Sequence, residues 1–384
     1  MTKDAPKTII RKETGGSKDK PWNPRFWDGV TVCAWFKTLA LGRFRISPSR
    51  IPMALVISLL TPFNSLCALG QRVFFGRRVR RQELVSPPIF ILGHWRSGTT
   101  LLHEYMILDD RFTYPDTYTC FAPSHFLFTH RWLSPFVGLL MPKKRPMDNM
   151  AAGLSRPQED EFALCVLGEP SPYVNILLPN APPVYRDYLT MRNVPDAKRK
   201  HWLDTFERLV KAITVADPKT VILKSPPHTA RIRTILERFP DAKFVYIHRN
   251  PYVLFPSTYN LWTKLAVTHG VQVMKEEGLA EKVLDDFVRM DEAYTADKPL
   301  LKPGQITEIS YDGLVADPVG TLEKIYTDIG IGGFEKKRPL FEEFAATQKD
   351  YKKNKFSIAP EIAEKIAVRW KPYLDRYGYA KPEE

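Results

Sequence analysis

Cysteine is scarce, and its placement is uninformative for metal or redox chemistry. Cys33, Cys67, Cys120 and Cys165 are widely separated among 384 residues, and no two form a Cys-x-x-Cys pair. That excludes zinc-ligand spacing and a dense disulfide framework, and makes a reduced intracellular compartment the default. The first 24 residues lack the apolar stretch of a secretory signal and read as a flexible basic tail. Internal repeats are absent. Acidic residues are in the minority, 43 against 56 basic ones, for a net charge of +13. An excess of that size favours an anionic partner: nucleic acid, a phospholipid surface or a polyphosphate-like small molecule. The basic residues are dispersed and no nucleic-acid-binding module is recognisable, so nucleic acid is not expected. With 44% hydrophobic and 26% charged residues the chain has material for a sizeable core, which excludes bulk disorder.

Beyond the tail, 25–86 is an apolar and basic extension expected to be helical. From Pro87 onward, short β-branched runs alternate with helical segments, the pattern of an α/β fold with a parallel sheet flanked by helices. The clearest strands are Ile89–Leu92, Thr220–Leu223, Phe244–His248 and Gln305–Ile309. Asn250-Pro251 and Asp317-Pro318 set a capping residue before a first-turn proline. The stretch 109–219, rich in aromatics and prolines, reads as a helical insertion into the 87–384 unit. Ile51 to Gln71 carries no formal charge and is long enough to span a bilayer. Pro52, Pro62, Asn64 and Gln71 are expected to interrupt it, and Arg77, Arg78, Arg80 and Arg81 follow. Three readings stand, in this order: a helical pair packed on the α/β unit, a peripheral contact with an anionic membrane surface, and a true span.

Ile89 to Thr100 reads as strand, loop and helix start. Gly93 and Gly98 have the spacing of the Walker A frame. Backbone N–H groups at such a helix start face an anion, and the helix dipole adds favourable potential. Thr99 stands where the frame has its lysine, while Arg96 brings a cation earlier. Without that lysine a triphosphate is harder to grip, but the hydroxyls of Ser97, Thr99 and Thr100 suit a shorter anion. A second anion site is expected at Arg249, which ends the Lys243–His248 run, because ligands of open α/β sheets bind at the carboxyl ends of strands. Ser257 lies about two helical turns on, although Pro256 should disturb a regular helix there.

Arg96-Ser97-Gly98-Thr99-Thr100 after a strand, with Arg249 and Ser257 at a later strand end, resembles the sulfotransferases that use 3′-phosphoadenosine 5′-phosphosulfate (PAPS). The loop is similar to that of the tyrosylprotein and bacterial branches; cytosolic members usually have lysine where Arg96 stands. Leu223-Lys224-Ser225-Pro226 and the segment Ile309 to Pro318 extend the resemblance, which covers 87–335 and the stretch to Tyr379. It implies PAPS as co-substrate, with the 5′-phosphosulfate on the loop (Arg96, Ser97, Gly98, Thr99, Thr100) and the 3′-phosphate on Arg249 and Ser257. No metal is implied. It also implies transfer to a hydroxyl acceptor by in-line displacement with a general base.

Arg96 and Lys224 are the cations available to the leaving phosphate. Three groups compete for the base. Asp116 comes first; it stands where the tyrosylprotein and some bacterial branches place a glutamate, and is one methylene shorter. His228 comes next, since an imidazole titrates near working pH, but it lies two residues past the histidine position of cytosolic members, which Pro226 occupies. Glu159, beside Asp160 and Glu161, is third; the alternative for that trio is surface charge compensating a helix dipole. Tyr114, Tyr118, Phe121, Phe126, Phe128, Trp132 and Phe136 make the insertion aromatic, which suits an apolar or amphipathic alcohol. Two other functions fit parts of the sequence: a P-loop nucleotide kinase or other triphosphate-using enzyme, and a membrane-surface binding module. The favoured location is the cytoplasm, at the inner membrane surface if the extension meets lipid.

Overall fold

The computed structural model describes residues 10–12, 23–141, 153–348 and 356–381. The strands are β1 (Ile10–Lys12), β2 (Ile89–Leu92), β3 (Phe112–Thr113), β4 (Thr220–Lys224), β5 (Lys243–His248), β6 (Ile306–Ser310) and β7 (Phe356–Ile358). Five of them form a parallel sheet in the order β3-β4-β2-β5-β6. Phe90 of β2 lies opposite both Leu223 of β4 and Phe244 of β5. The period-two alternation of a strand divides the core between the two faces. Ile89 and Ile91 pack with Ile222, Val245 and Ile247 on one face; Phe90 and Leu92 pack with Leu223, Phe244 and Tyr246 on the other. Four strands lie within a residue of their expected bounds. β3, two residues long, carries no readable alternation, and it adds a sheet edge inside the stretch read as purely helical.

The helices that position the site are α1 (Val32–Leu41), α2 (Ile51–Arg81), α3 (Thr99–Met106), α4 (Thr117–Phe121), α5 (Phe126–Leu140), α6 (Asp160–Val166), α7 (Asp196–Ala216) and α8 (Pro251–His269). Both expected caps form: Asn250 Oδ1 accepts from the Tyr252 amide at 3.0 Å, and Asp317 Oδ1 from Gly320 at 2.9 Å. α8 runs unbroken through Pro256, so the anticipated disturbance amounts to one missing hydrogen bond, that to the Tyr252 carbonyl.

The extension corrects a second expectation. α2 is one 31-residue helix, not an interrupted one. Pro52 falls in its first turn, where no N–H is needed. Pro62 leaves the Ser58 carbonyl without its usual partner, and the Thr61 hydroxyl donates to it at 2.9 Å instead. Asn64 and Gln71 tie the helix to the rest of the chain: Asn64 Nδ2 donates to the carbonyls of Asp28 (2.6 Å) and Val30 (3.0 Å), and Gln71 Oε1 accepts from the Leu127 amide (2.7 Å). α2 packs against α1, α5 and α7, and Phe26, Trp27 and Trp35 of the extension share the larger core cluster with the sheet. The tail is not wholly free: Ile10–Lys12 pairs antiparallel with Phe356–Ile358. Residues 1–9 and 13–22 of the tail, and 142–152 of the insertion, lie outside the described residues.

Candidate active site

β2 delivers the chain to the carboxyl edge of the sheet, where Gly93 to Gly98 turns it into α3. Gly93 has φ 150° and Gly98 has φ 108°. A Cβ on Gly93 would lie 2.5 Å from Ser97 Oγ and 2.7 Å from the Ile247 carbonyl; one on Gly98 would lie 2.4 Å from the Tyr311 ring. Arg96 adopts φ 71°, a conformation that non-glycine residues take at a cost of about 1–3 kcal/mol. The Thr229 hydroxyl holds the loop at its base, accepting from the Gly93 amide at 2.8 Å. The Ser97 hydroxyl is buried and has no hydrogen-bond partner among the described residues. Leaving such a group unmet costs about 1–3 kcal/mol, which a bound anion would relieve. Glycines shaped to the limit of close approach, with an orphaned hydroxyl at a helix start, fit a phosphate or sulfate group.

The second predicted cation lies beside this loop. Arg249 follows β5, the hydrogen-bonded neighbour of β2. Its Nη1 donates to the Arg96 carbonyl at 2.9 Å, and its guanidinium lies 4.0 Å over the Tyr311 ring. Arg96 Nε in turn donates to Ser257 Oγ at 2.9 Å. Tyr373 fixes the strand end, its hydroxyl accepting from the Arg249 amide (3.1 Å) and donating to the Arg249 carbonyl (3.2 Å). Arg96, Arg249 and Ser257, read from two separate sequence segments, are thus brought together at one edge of the sheet.

A third group of residues adjoins the helix start. Lys224, the last residue of β4, has its Nζ 2.9 Å from Glu159 Oε1 and 3.5 Å from Thr100 Oγ1. Its side chain is only 2% exposed. Glu159 is the residue before α6, and its other oxygen accepts from the Tyr173 hydroxyl. That hydroxyl also accepts from Trp95 Nε1 at 2.8 Å, so a chain of hydrogen bonds runs from the loop to the carboxylate.

The other two base candidates stand elsewhere. Asp116 caps α4, its Oδ1 accepting from the Thr119 amide at 2.7 Å, and His130 Nε2 lies 3.9 Å from its other oxygen. Burial pushes the Asp116 carboxyl above the ordinary aspartate range, against the pull of the Thr119 amide. His228 is fully buried between Phe90 and Phe206, with Nε2 2.5 Å from Asp160 Oδ2. The acidic trio is therefore not a surface feature. Asp160 pairs with His228 and Glu161 with Arg231, all four side chains being shielded from solvent, while Glu159 reaches Lys224.

Tyr173, Tyr311 and Tyr373 belong to this arrangement and were not singled out in the sequence. Tyr311 lies in the noticed segment Ile309 to Pro318; Tyr173 and Tyr373 sit in no motif, and only their packing marks them. Of the insertion's aromatics, Tyr118 and Phe126 are core, whereas Trp132 and Phe136 are exposed on α5.

Comparison with known proteins shows the family. Residues 87–336 match the sulfotransferase family. The chain belongs to that family. Over 370 residues it is 40% identical to the omega-hydroxy-beta-dihydromenaquinone-9 sulfotransferase Stf3 of Mycobacterium bovis, covering 96% of this chain and 95% of the relative. The Stf3 of Mycobacterium tuberculosis is equally similar, 40% identical over 370 residues. Among solved structures, the sulfotransferase STF9 from Mycobacterium avium aligns with a TM-score of 0.65 at 17% identity, covering 92% of this chain and 98% of that one. STF1 from Mycobacterium tuberculosis H37Rv aligns with a TM-score of 0.57 at 16% identity, over 86% and 89% of the two chains. These two likenesses show the fold. This sulfotransferase is an enzyme of the bacterial branch that transfers a sulfuryl group to a hydroxyl acceptor, as its loop sequence indicated.

Proposed function

We propose that this sulfotransferase takes its sulfuryl group from PAPS and delivers it to the hydroxyl of a lipid-soluble, prenyl-type alcohol, with Glu159 as general base. One observation carries the donor assignment: Arg96 touches both Arg249 and Ser257 while its own loop opens α3. A nucleoside charged at its 5′ and 3′ positions has a partner for each end in that arrangement. Ser97, Thr99 and Thr100 with the amides of the helix start would hold the 5′ end; Arg249 and Ser257 would hold the 3′-phosphate. PAPS, when bound, supplies the activated sulfuryl group and a phosphate leaving group.

Within the site, Glu159 accepts the proton of the acceptor hydroxyl. Tyr173 keeps the carboxylate oriented through the hydrogen bond to its second oxygen. Lys224, within 3.5 Å of Thr100 at the helix start, releases Glu159 and stabilises charge on the departing phosphate. Asp116 and His228 are left with structural roles, capping α4 and closing the buried pair with Asp160. A lipid-soluble acceptor is supported by the name of the 40%-identical relatives, whose substrate is a hydroxylated menaquinone, and by the aromatic insertion. We place the enzyme in the cytoplasm, in peripheral contact with the membrane through 25–86.

The test is incubation of the full chain with ³⁵S-labelled PAPS and a panel of prenylated alcohols. Label should appear in the lipid phase with matching release of 3′-phosphoadenosine 5′-phosphate. No affinity for that product even at millimolar concentration, or tighter binding of magnesium-ATP, would overturn the proposal in favour of triphosphate chemistry.

A further inference from the structure

α2 is apolar on both sides, and only one side is covered. Ala54, Ile57, Thr61 and Asn64 are buried against the rest of the chain. The opposite side presents Leu55, Leu59, Leu66 and Val73, each 58–78% exposed, and the adjoining α5 adds Phe136 at 67% and Leu139 at 84%. Phe74 stacks on Phe128 at 5.8 Å and Phe63 meets Trp132 edge-on at 6.2 Å, so the two helices make one continuous surface. A monomeric protein in water rarely leaves a contiguous apolar patch of this extent uncovered.

Charge identifies the occupant. From Gly29 to Gln82 the sequence holds no aspartate or glutamate, and α5 holds none either. Arg77, Arg78, Arg80 and Arg81 are exposed at the end of α2, and among the described residues no carboxylate pairs with any of them. A second copy of this strip would bring more cations and no anions. A leaflet containing acidic lipids offers an apolar interior for the helix faces and anionic headgroups for the arginines. By length and composition α2 with its short lead-in could cross a bilayer. Doing so would break the bonds from Asn64 to the Asp28 and Val30 carbonyls and that between Gln71 and Leu127. Exposing those groups to hydrocarbon costs several kcal/mol apiece.

The surface is also joined to the reaction centre. α4, immediately before α5, packs on α6, and the Cys120 thiol of α4 donates to the Glu159 carbonyl at 3.3 Å. We infer that the combined α2–α5 surface docks, without spanning, on an anionic lipid leaflet, so that the acceptor alcohol reaches Glu159 from the membrane side. The inference rests on the lipid-soluble acceptor of the proposed function.

The experiment is flotation of the full chain with vesicles of phosphatidylcholine alone or mixed with phosphatidylglycerol. The parent should float with the mixed vesicles, less so with phosphatidylcholine and less in high salt. A Leu59→Asp/Leu66→Asp variant should stay unbound. Replacing Arg77, Arg78, Arg80 and Arg81 by glutamine should weaken binding to the mixed vesicles by about fivefold per arginine. Calorimetric affinity for 3′-phosphoadenosine 5′-phosphate establishes that each variant is folded, and separates failure of docking from failure of the PAPS assignment. Equal flotation of the aspartate variant, or none of the parent, overturns the inference. So does a lipid-free dimer that Leu59→Asp converts to monomer, which would assign the surface to a second copy.

Discussion

Glu159→Gln removes the proposed base while keeping a side chain of the same size and a carbonyl oxygen beside Lys224. The carboxylate lies 2.9 Å from Lys224 Nζ, the lysine side chain being 2% exposed and the glutamate 14%. At that distance and an effective dielectric near 20 the attraction is ~6 kcal/mol, much of it offset by dehydrating both charges. Removing the partner outright, as in Glu159→Ala, strands a buried cation and costs about 3–5 kcal/mol of stability. Glutamine keeps a carbonyl oxygen for Lys224 or Tyr173, so its main effect falls on chemistry. Losing a general base lowers turnover by roughly 10²–10⁴-fold, or about 3–5.5 kcal/mol of barrier. The assay is kcat at saturating PAPS and acceptor, beside calorimetric affinity for 3′-phosphoadenosine 5′-phosphate, which should hold. Asp116→Asn is the comparison: asparagine caps a helix as well as aspartate, so α4 should persist and turnover should stay near the parent value. A loss below about tenfold for Glu159→Gln, or an equal loss for Asp116→Asn, refutes the assignment.

Other substitutions probe the remaining parts. Lys224→Met should lower kcat by about 10²–10³-fold and, by stranding the Glu159 carboxylate, lower stability by up to about 3–5 kcal/mol; unchanged turnover in the folded variant would remove it from the leaving side. Arg249→Ala should weaken 3′-phosphoadenosine 5′-phosphate by about 10–100-fold in calorimetry and spare adenosine 5′-phosphate, since a charge-assisted bond contributes about 1.5–3 kcal/mol; equal weakening of both would contradict its assignment to the 3′ end. Gly98→Ala, forced to φ 108° and onto Tyr311, should cost about 1–3 kcal/mol and abolish nucleotide affinity. Stability should fall as pH drops below 6.5. Burial lowers His94, His125 and His248 to about 4 and His103 and His269 to about 3. The unfolded chain therefore takes up these protons first, and each group removes up to about 1.4 kcal/mol per pH unit between 6.5 and its folded value. Urea midpoints that do not change between pH 7 and 4.5 would refute this.

Four strands of the parallel sheet were legible because β2, β4 and β5 are apolar runs buried on both faces and all four are bounded by turn chemistry. Asn250-Pro251, Asp317-Pro318 and the Gly93…Gly98 spacing each act within a few residues, and all three formed as read. What depended on distant contacts was not legible. Pro62 looks like a helix breaker until Thr61 is seen to satisfy the carbonyl it frees. Asn64 and Gln71 look like interruptions until their partners at Asp28, Val30 and Leu127 are in view. For the same reason three consecutive acids looked alike in sequence. Burial gives each a different partner, Lys224, His228 or Arg231, from segments at least 65 residues away. Of the three, Glu159 is the one whose partner, Lys224, reaches Thr100 at the start of α3, which no local pattern could reveal.

One nucleotide is proposed to be held at both charged ends across the edge of β2 and β5. A crystal structure with 3′-phosphoadenosine 5′-phosphate tests it most directly. The 5′-phosphate should rest on the amides and hydroxyls of Ser97 to Thr100. The 3′-phosphate should contact Arg249 and Ser257, and Lys224 should turn from Glu159 toward the 5′ end. A nucleotide bound away from Arg249, or with Lys224 and Glu159 both out of reach of its 5′-phosphate, would contradict it.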